Sequence, residues 1–157
     1  MVVPSNHDDF IDRYITQRKF VYDEENIVLA CKLFVALAEG HNAIEWWLKK
    51  EAKINTKNIK FLEIDKSSEI GGVELNVHGH IGSNGAKGSP ASLETAYGSC
   101  VTGHSHAPQI FREVYTVGCN CKLRQDYNKG GSSWLHGNCI VYKGGVRQMI
   151  IIVDGAY

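Results

Sequence analysis

The feature that most constrains the fold of this chain is a change of period near residue 59. Before it, apolar side chains recur at helical spacing; after it, they alternate. Phe10, Ile11, Tyr14 and Ile15 form a stripe at i, i+1, i+4 and i+5, behind Asp8, Asp9 and Asp12, which suit the positive end of a helix dipole. Residues 24–39 read as a second helix, stopped by Gly40, and residues 42–52 as a third, with Ile44, Trp47 and Leu48 facing inward. Trp46 and Trp47 are adjacent and cannot share one face; either one serves an interface or the packing around it is incomplete. From residue 59 the pattern favours strands: Ile59, Phe61 and Ile64 in one, then Val73, Leu75 and Val77 alternating with Glu74 and Asn76. A short helix over 91–97 precedes strands at 100–102 and 113–117. A hairpin follows, with arms 139–142 and 146–153 around Lys143-Gly144-Gly145. The continuously apolar Ile150-Ile151-Ile152-Val153 predicts a strand buried on both faces. The pattern as a whole is α/β in the α+β sense, with a helical segment over about 8–53 and a strand-rich one over about 59–153.

At 157 residues the chain fits one domain with a real core. No apolar run approaches the roughly 20 residues that cross a bilayer, so no membrane partner is expected. The start, Met1-Val2-Val3-Pro4, lacks the basic and long apolar regions of a signal peptide. Five cysteines at irregular spacing argue against a disulfide framework, and the reducing cytoplasm is the expected compartment. Lysine plus arginine balances aspartate plus glutamate at 17 each, which excludes a global basic footprint for nucleic acid.

Chemistry is concentrated in the histidines. Four of the seven fall in two tight pairs, His78-Gly79-His80 and Gly103-His104-Ser105-His106. Each follows a predicted strand. Side chains two apart on extended backbone point the same way, so each pair can aim imidazoles at one spot beyond a strand end. Neutral imidazole is the commonest ligand for a transition metal near neutral pH. A third candidate end is Ser5-Asn6-His7-Asp8, where Ser5 or Asn6 could equally cap the following helix. The glycine-rich run from Gly82 to Gly88 lets backbone N–H groups approach an anion, or is simply a turn; it lacks the ending of a P-loop.

The order of these motifs, Asn-His-Asp, then a strand-end His, then Gly-His-Ser-His, resembles the calcineurin-like metallophosphoesterases. The family's two earlier motifs, Asp-x-His and Gly-Asp, have no counterpart here; the single Asp-Gly, Asp154-Gly155, stands at the wrong end. The resemblance therefore covers the C-terminal half of a family domain, and residues 1–157 are expected to form a single partial domain, part of a β-sandwich flanked by helices. It implies hydrolysis of phosphate esters by a two-metal-activated hydroxide, with Mn, Fe or Zn as the two divalent ions. Asn6, His78 and His104 would bind the second metal and His106 the first. His7 would act on the leaving oxygen. His80 is the alternative to His78. The bridging aspartate would come from an N-terminal half, so the chain alone is expected to be inactive or nearly so. Where the family often continues Asn-Pro-Gly-Ser, this chain reads Thr116-Val117-Gly118-Cys119.

Lys87, Lys122, Arg124, Lys129 and Arg147 share the half that holds the paired histidines, where the balance is 7 basic to 4 acidic side chains over residues 76–157. They point toward a phosphodiester, and DNA, as substrate, in the manner of a phage-type nuclease or DNA-transfer member of that family. The other reading is a non-catalytic structural or partner-binding remnant of the same fold. Its interface would serve an N-terminal half chain or a second copy in a homo-oligomer. A third reading places structural zinc at Cys119-x-Cys121 with His104 or His136, against the usual wider cysteine spacing.

Overall fold

The computed structural model describes residues 1–157 except 65 and 128. It is an α+β structure that divides into two compact units, Met1–Glu63 and Ile64–Tyr157. The division falls close to the change of sequence period.

The first unit is helical. Its elements are α1 (Asp8–Thr16), a 3₁₀ turn (Lys19–Tyr22), α2 (Ile27–Ala38) and α3 (Ala43–Lys50). Ile15, Phe20, Ala30, Leu33 and Ala43 form its core, with Ile11, Tyr14, Leu37 and Trp46 packed around them. Asn42 caps α3 by accepting the Glu45 N–H at 2.9 Å. That start places Ala43 and Trp46, three apart, toward the core. Trp46 is therefore the inward tryptophan; Trp47, expected inward, is 40% exposed. It borders an apolar groove of about 590 Å³ that Phe10, Leu29, Leu33 and Ile44 also line. Phe10 likewise departs from its predicted stripe and lies half-exposed.

The predicted strand at 59–64 reduces to one parallel bridge between Phe61 and Val2. Val2 donates its N–H to the Lys60 carbonyl at 2.8 Å and accepts from Leu62 at 3.0 Å. A single residue offers no longer ladder, and Ile64 is exposed.

The second unit holds a five-stranded mixed sheet in the order β1-β2-β3-β5-β4: β1 (Glu69–Ile70), β2 (Val73–Glu74), β3 (Cys100–Thr102), β5 (Val114–Thr116) and β4 (Gln109–Phe111). Strands β2, β3 and β5 run parallel, with Glu74 beside Cys100 and Cys100 beside Val114. Helix α4 (Pro90–Tyr97), capped by the Ser89 hydroxyl, contributes Leu93 to a core with Val77, Cys100 and Val114. A separate antiparallel pair, β6 (His136–Val141) and β7 (Arg147–Ile152), completes the unit.

Two sequence expectations change here. The regular ladder of the 73–77 strand stops after two residues, and Glu74, expected to alternate outward, is buried. Its carboxylate accepts from Ser67 Oγ at 2.6 Å, Ser68 N at 2.9 Å and Asn76 N at 2.7 Å. Strand β7 is not buried on both faces: Ile150–Ile152 are only half-buried and Val153 is exposed, and among the described residues β7 pairs with β6 alone.

Two glycine turns lock the hairpin to the sheet. Gly71 and Gly145 both have positive φ, and a Cβ on either would lie 2.3 Å from the other's backbone. Arg147 adds a second tie. Its guanidinium lies 4.3 Å over the Tyr115 ring and bonds both the carbonyl and the carboxylate of Glu113.

Candidate functional site

The parallel pairing of β2 with β3 brings their carboxyl ends together, where open sheets place their sites. Beyond β2 the chain runs on through Val77 to His78. The His78 carbonyl accepts both the Gly103 N–H at 3.0 Å and the His104 N–H at 2.9 Å. These bonds fix the two motif backbones side by side. The rings follow: His78 Nε2 and His104 Nδ1 are 3.1 Å apart, although 26 positions separate the residues. The buried Thr102 hydroxyl bonds that of Thr116 at 3.2 Å, tying β3 to β5 just below the site.

His80 joins this pair. Its ring centre lies 5.3 Å from that of His78 and 5.9 Å from that of His104, and the His78 and His104 centres are 5.0 Å apart. Gly79 makes the three-ring cluster possible. It has φ +103°, and a Cβ there would press on Thr102 at 3.1 Å. Gly88 comes still closer, with a would-be Cβ only 1.9 Å from the Gly79 carbonyl, and its N–H bonds the His80 carbonyl at 3.0 Å.

The glycine-rich loop serves this close approach rather than anion binding. Four of its N–H groups are engaged nearby: Gly82 on Ala86, Ser83 on the Ser92 hydroxyl of α4, Gly85 on Gly82 and Ala86 on Ser83. The loop is a clamp on His80.

The other candidates fall elsewhere. His106 has φ +60° in the turn after β3, and its ring packs edge-on against Trp134, with centres 4.3 Å apart. Asn6 and His7 belong to the first unit. There Ser5 and Asp8 bond reciprocally, the Ser5 N–H to Asp8 Oδ2 at 3.0 Å and the Asp8 N–H to the Ser5 carbonyl at 3.1 Å, while the His7 N–H bonds Ser5 Oγ at 3.2 Å. Neither Ser5 nor Asn6 caps α1 as expected: His7 holds the N-cap position without a side-chain cap bond, and Ser5 ties the turn ahead of it. The His7 ring stacks on Phe10 at 5.3 Å. Cys119 is buried and Cys121 exposed, and His136 Nε2 bonds the Cys121 carbonyl at 2.9 Å. Burial pushes the Cys119 thiol above its ordinary pKa, which disfavours the thiolate.

Among the described residues no set of three His, Cys, Asp or Glu side chains already stands in a metal-holding arrangement. The His78–His104 pair is the exception in spacing if not in number. Two imidazole nitrogens, each about 2.0–2.1 Å from one ion, lie roughly 3.0–3.4 Å apart at ordinary coordination angles. Their 3.1 Å separation suits two ligands of one ion as well as it suits a hydrogen bond. His80, the alternative to His78, stands beside both His78 and His104, on a backbone shaped by Gly79 and Gly88.

No helix among the described residues is long and apolar enough to cross a membrane. No protein-family model and no solved structure matches the chain. Among curated proteins, "Protein A1" of Escherichia phage T5 is 35% identical over 166 aligned positions. The match takes in all of this chain but 30% of the relative, so the chain spans less than a third of that protein's length.

Proposed function

We propose that the chain carries part of a metal-dependent phosphoesterase site, built on His78 and His104, that acts on phosphodiesters such as DNA. The observation that supports this most is the meeting of two imidazoles at adjacent parallel strand ends, in the motif order of the calcineurin-like enzymes. An imidazole pair suits Zn, Fe and their neighbours better than hard cations. Bound there, a divalent ion would supply Lewis acidity toward a phosphoryl oxygen and lower the pKa of water.

The chain's own residues would do the rest. His78 and His104 hold the ion, and the two backbone bonds to the His78 carbonyl keep their main chains side by side. His106 is assigned as the ligand of a second ion. His7 lies on an exposed turn ahead of α1 in the first unit and is not part of this site. Lys87, Lys122, Arg124 and Lys129 offer phosphate contacts from the exposed surface of the second unit. Full activity calls for carboxylates from an N-terminal half.

The test is hydrolysis of bis-p-nitrophenyl phosphate and of single-stranded DNA with Mn²⁺ or Zn²⁺. The chain would be assayed alone and joined to the part of the phage T5 relative that lies outside the match. Activity in the joined form that His104→Ala removes supports the proposal. Activity indifferent to His104→Ala and His78→Ala refutes it, and no activity in either form favours the non-catalytic remnant.

A further inference from the structure

We infer that His80 is a third imidazole ligand, so that His78, His80 and His104 bind one transition-metal ion within the second unit, with no need of Asn6. This rests on the strand-end pair of the proposed function but adds a residue, a stoichiometry and a metal preference to it.

Three observations point the same way. First, His80 Nδ1 is buried and has no hydrogen-bond partner among the described residues. An unpaired buried ring nitrogen costs about 1–3 kcal/mol, so a site that keeps one has a use for it. Second, its ring already stands within 6 Å of both partners. Ring centres of imidazoles sharing an ion fall roughly 4.6–5.6 Å apart, from a metal–nitrogen distance of about 2.0–2.1 Å. The 5.0 and 5.3 Å separations lie in that range and the 5.9 Å one lies just outside. As they stand the three rings do not form a metal-holding set, so the ion has to draw His80 toward His104. Third, the backbone of His80 is held on purpose, by the Gly88 N–H on its carbonyl and the bridge between Ile81 and Lys87. A plain turn between β2 and α4 would need neither the clamp nor the two glycines that make room for it.

The donor set fixes the metal class. Three neutral imidazoles with no carboxylate favour Zn²⁺, Ni²⁺ or Co²⁺ over Mg²⁺, Ca²⁺ and Mn²⁺. Three protein ligands also leave a position open for water or a phosphate oxygen, as in catalytic zinc sites.

The experiment is calorimetric titration of Zn²⁺ and Mn²⁺ into the full chain. It is paired with ¹⁵N imidazole spectra of the unsubstituted protein, which read each ring without relying on a variant's folding. The inference expects one Zn²⁺ per chain, Mn²⁺ binding far weaker, and Zn²⁺-dependent shifts confined to His78, His80 and His104. His80→Gln should lower Zn²⁺ affinity by at least about tenfold, since loss even of groups that merely orient a ligand costs that much; Asn6→Ala should not change it. Zn²⁺ shifts at His78 and His104 without His80 overturn the inference and leave the phosphoesterase reading standing. Triad binding with no hydrolysis in any form overturns the phosphoesterase reading alone.

Discussion

Replacing Glu74 with glutamine tests how the strand that delivers His78 is held. Glu74 sits four residues before that histidine, and its carboxylate gathers three hydrogen bonds of 2.6–2.9 Å from Ser67, Ser68 and Asn76. Burial alone would raise its pKa; the hydrogen bonds from Ser67, Ser68, Asn76 and Leu75 outweigh it and bring the pKa below the ordinary 4.5. Glutamine keeps the shape but turns an NH₂ toward donors that need an acceptor. One stranded buried donor costs about 1–3 kcal/mol, and the remaining bonds lose their charge assistance. A loss of about 2–4 kcal/mol follows, or roughly 10–20 °C in the melting of a unit this size. The pH dependence has a definite sign. A lowered folded pKa contributes stability that is fully present above about 4.5 and is lost as pH falls through the folded value. Urea unfolding at pH 7 and pH 3 should therefore show a large gap between native protein and Glu74→Gln at the higher pH and a smaller one at the lower. Equal stability of the two proteins at pH 7, or a gap that widens in acid, would refute this account of β2.

Other perturbations probe the site and its supports. Gly88→Ala forces a Cβ against the Gly79 carbonyl; overpacking should cost about 1–3 kcal/mol in thermal unfolding and weaken Zn²⁺ binding together. Trp134→Ala removes an edge-on ring contact worth about 0.5–1.5 kcal/mol beyond its buried area, and Zn²⁺ affinity should stay unchanged because His106 is outside the triad. In the first unit, the Tyr14 hydroxyl bonds Asp23 at 2.6 Å, and that bond first, then burial and the aspartate's charge, push the phenol up to about 12. In Asp23→Asn the phenol should titrate close to its ordinary 10, read as the alkaline absorbance difference against Tyr14→Phe.

The helices were legible because their stops are local. Gly40 ends one, Asn42 starts the next, and Ser89-Pro90 opens α4. The strands were legible where a turn announced them, as at Lys143-Gly144-Gly145 between β6 and β7. Strand β1 was missed although Gly71-Gly72, both with positive φ, signal a tight hairpin of the same kind. Strand β4 was missed for a better reason: its turn to β5 passes through Arg112 with φ +49°, a residue that gives no turn signal. The inward face of α2 was obscured because, Lys32 apart, nearly every position is apolar. Ala30, Leu33 and Ala36 are buried while Val28 and Val35 are exposed, and no period separates them. At the site, the two-residue spacing identified both histidine pairs but could not say which members meet. That depends on parallel pairing of β2 with β3, a contact between distant segments, and on the turn at His106, whose positive φ carries its ring toward Trp134.

The central claim is that His78 and His104 are spaced to grip one ion. Anomalous diffraction from crystals of the full chain grown with Zn²⁺ tests it most directly. The account predicts a peak about 2.0–2.1 Å from both His78 Nε2 and His104 Nδ1, with His80 drawn toward it. Density that shows the two rings hydrogen-bonded as at 3.1 Å with no ion between them, or zinc bound only at Cys119 and Cys121, would contradict it.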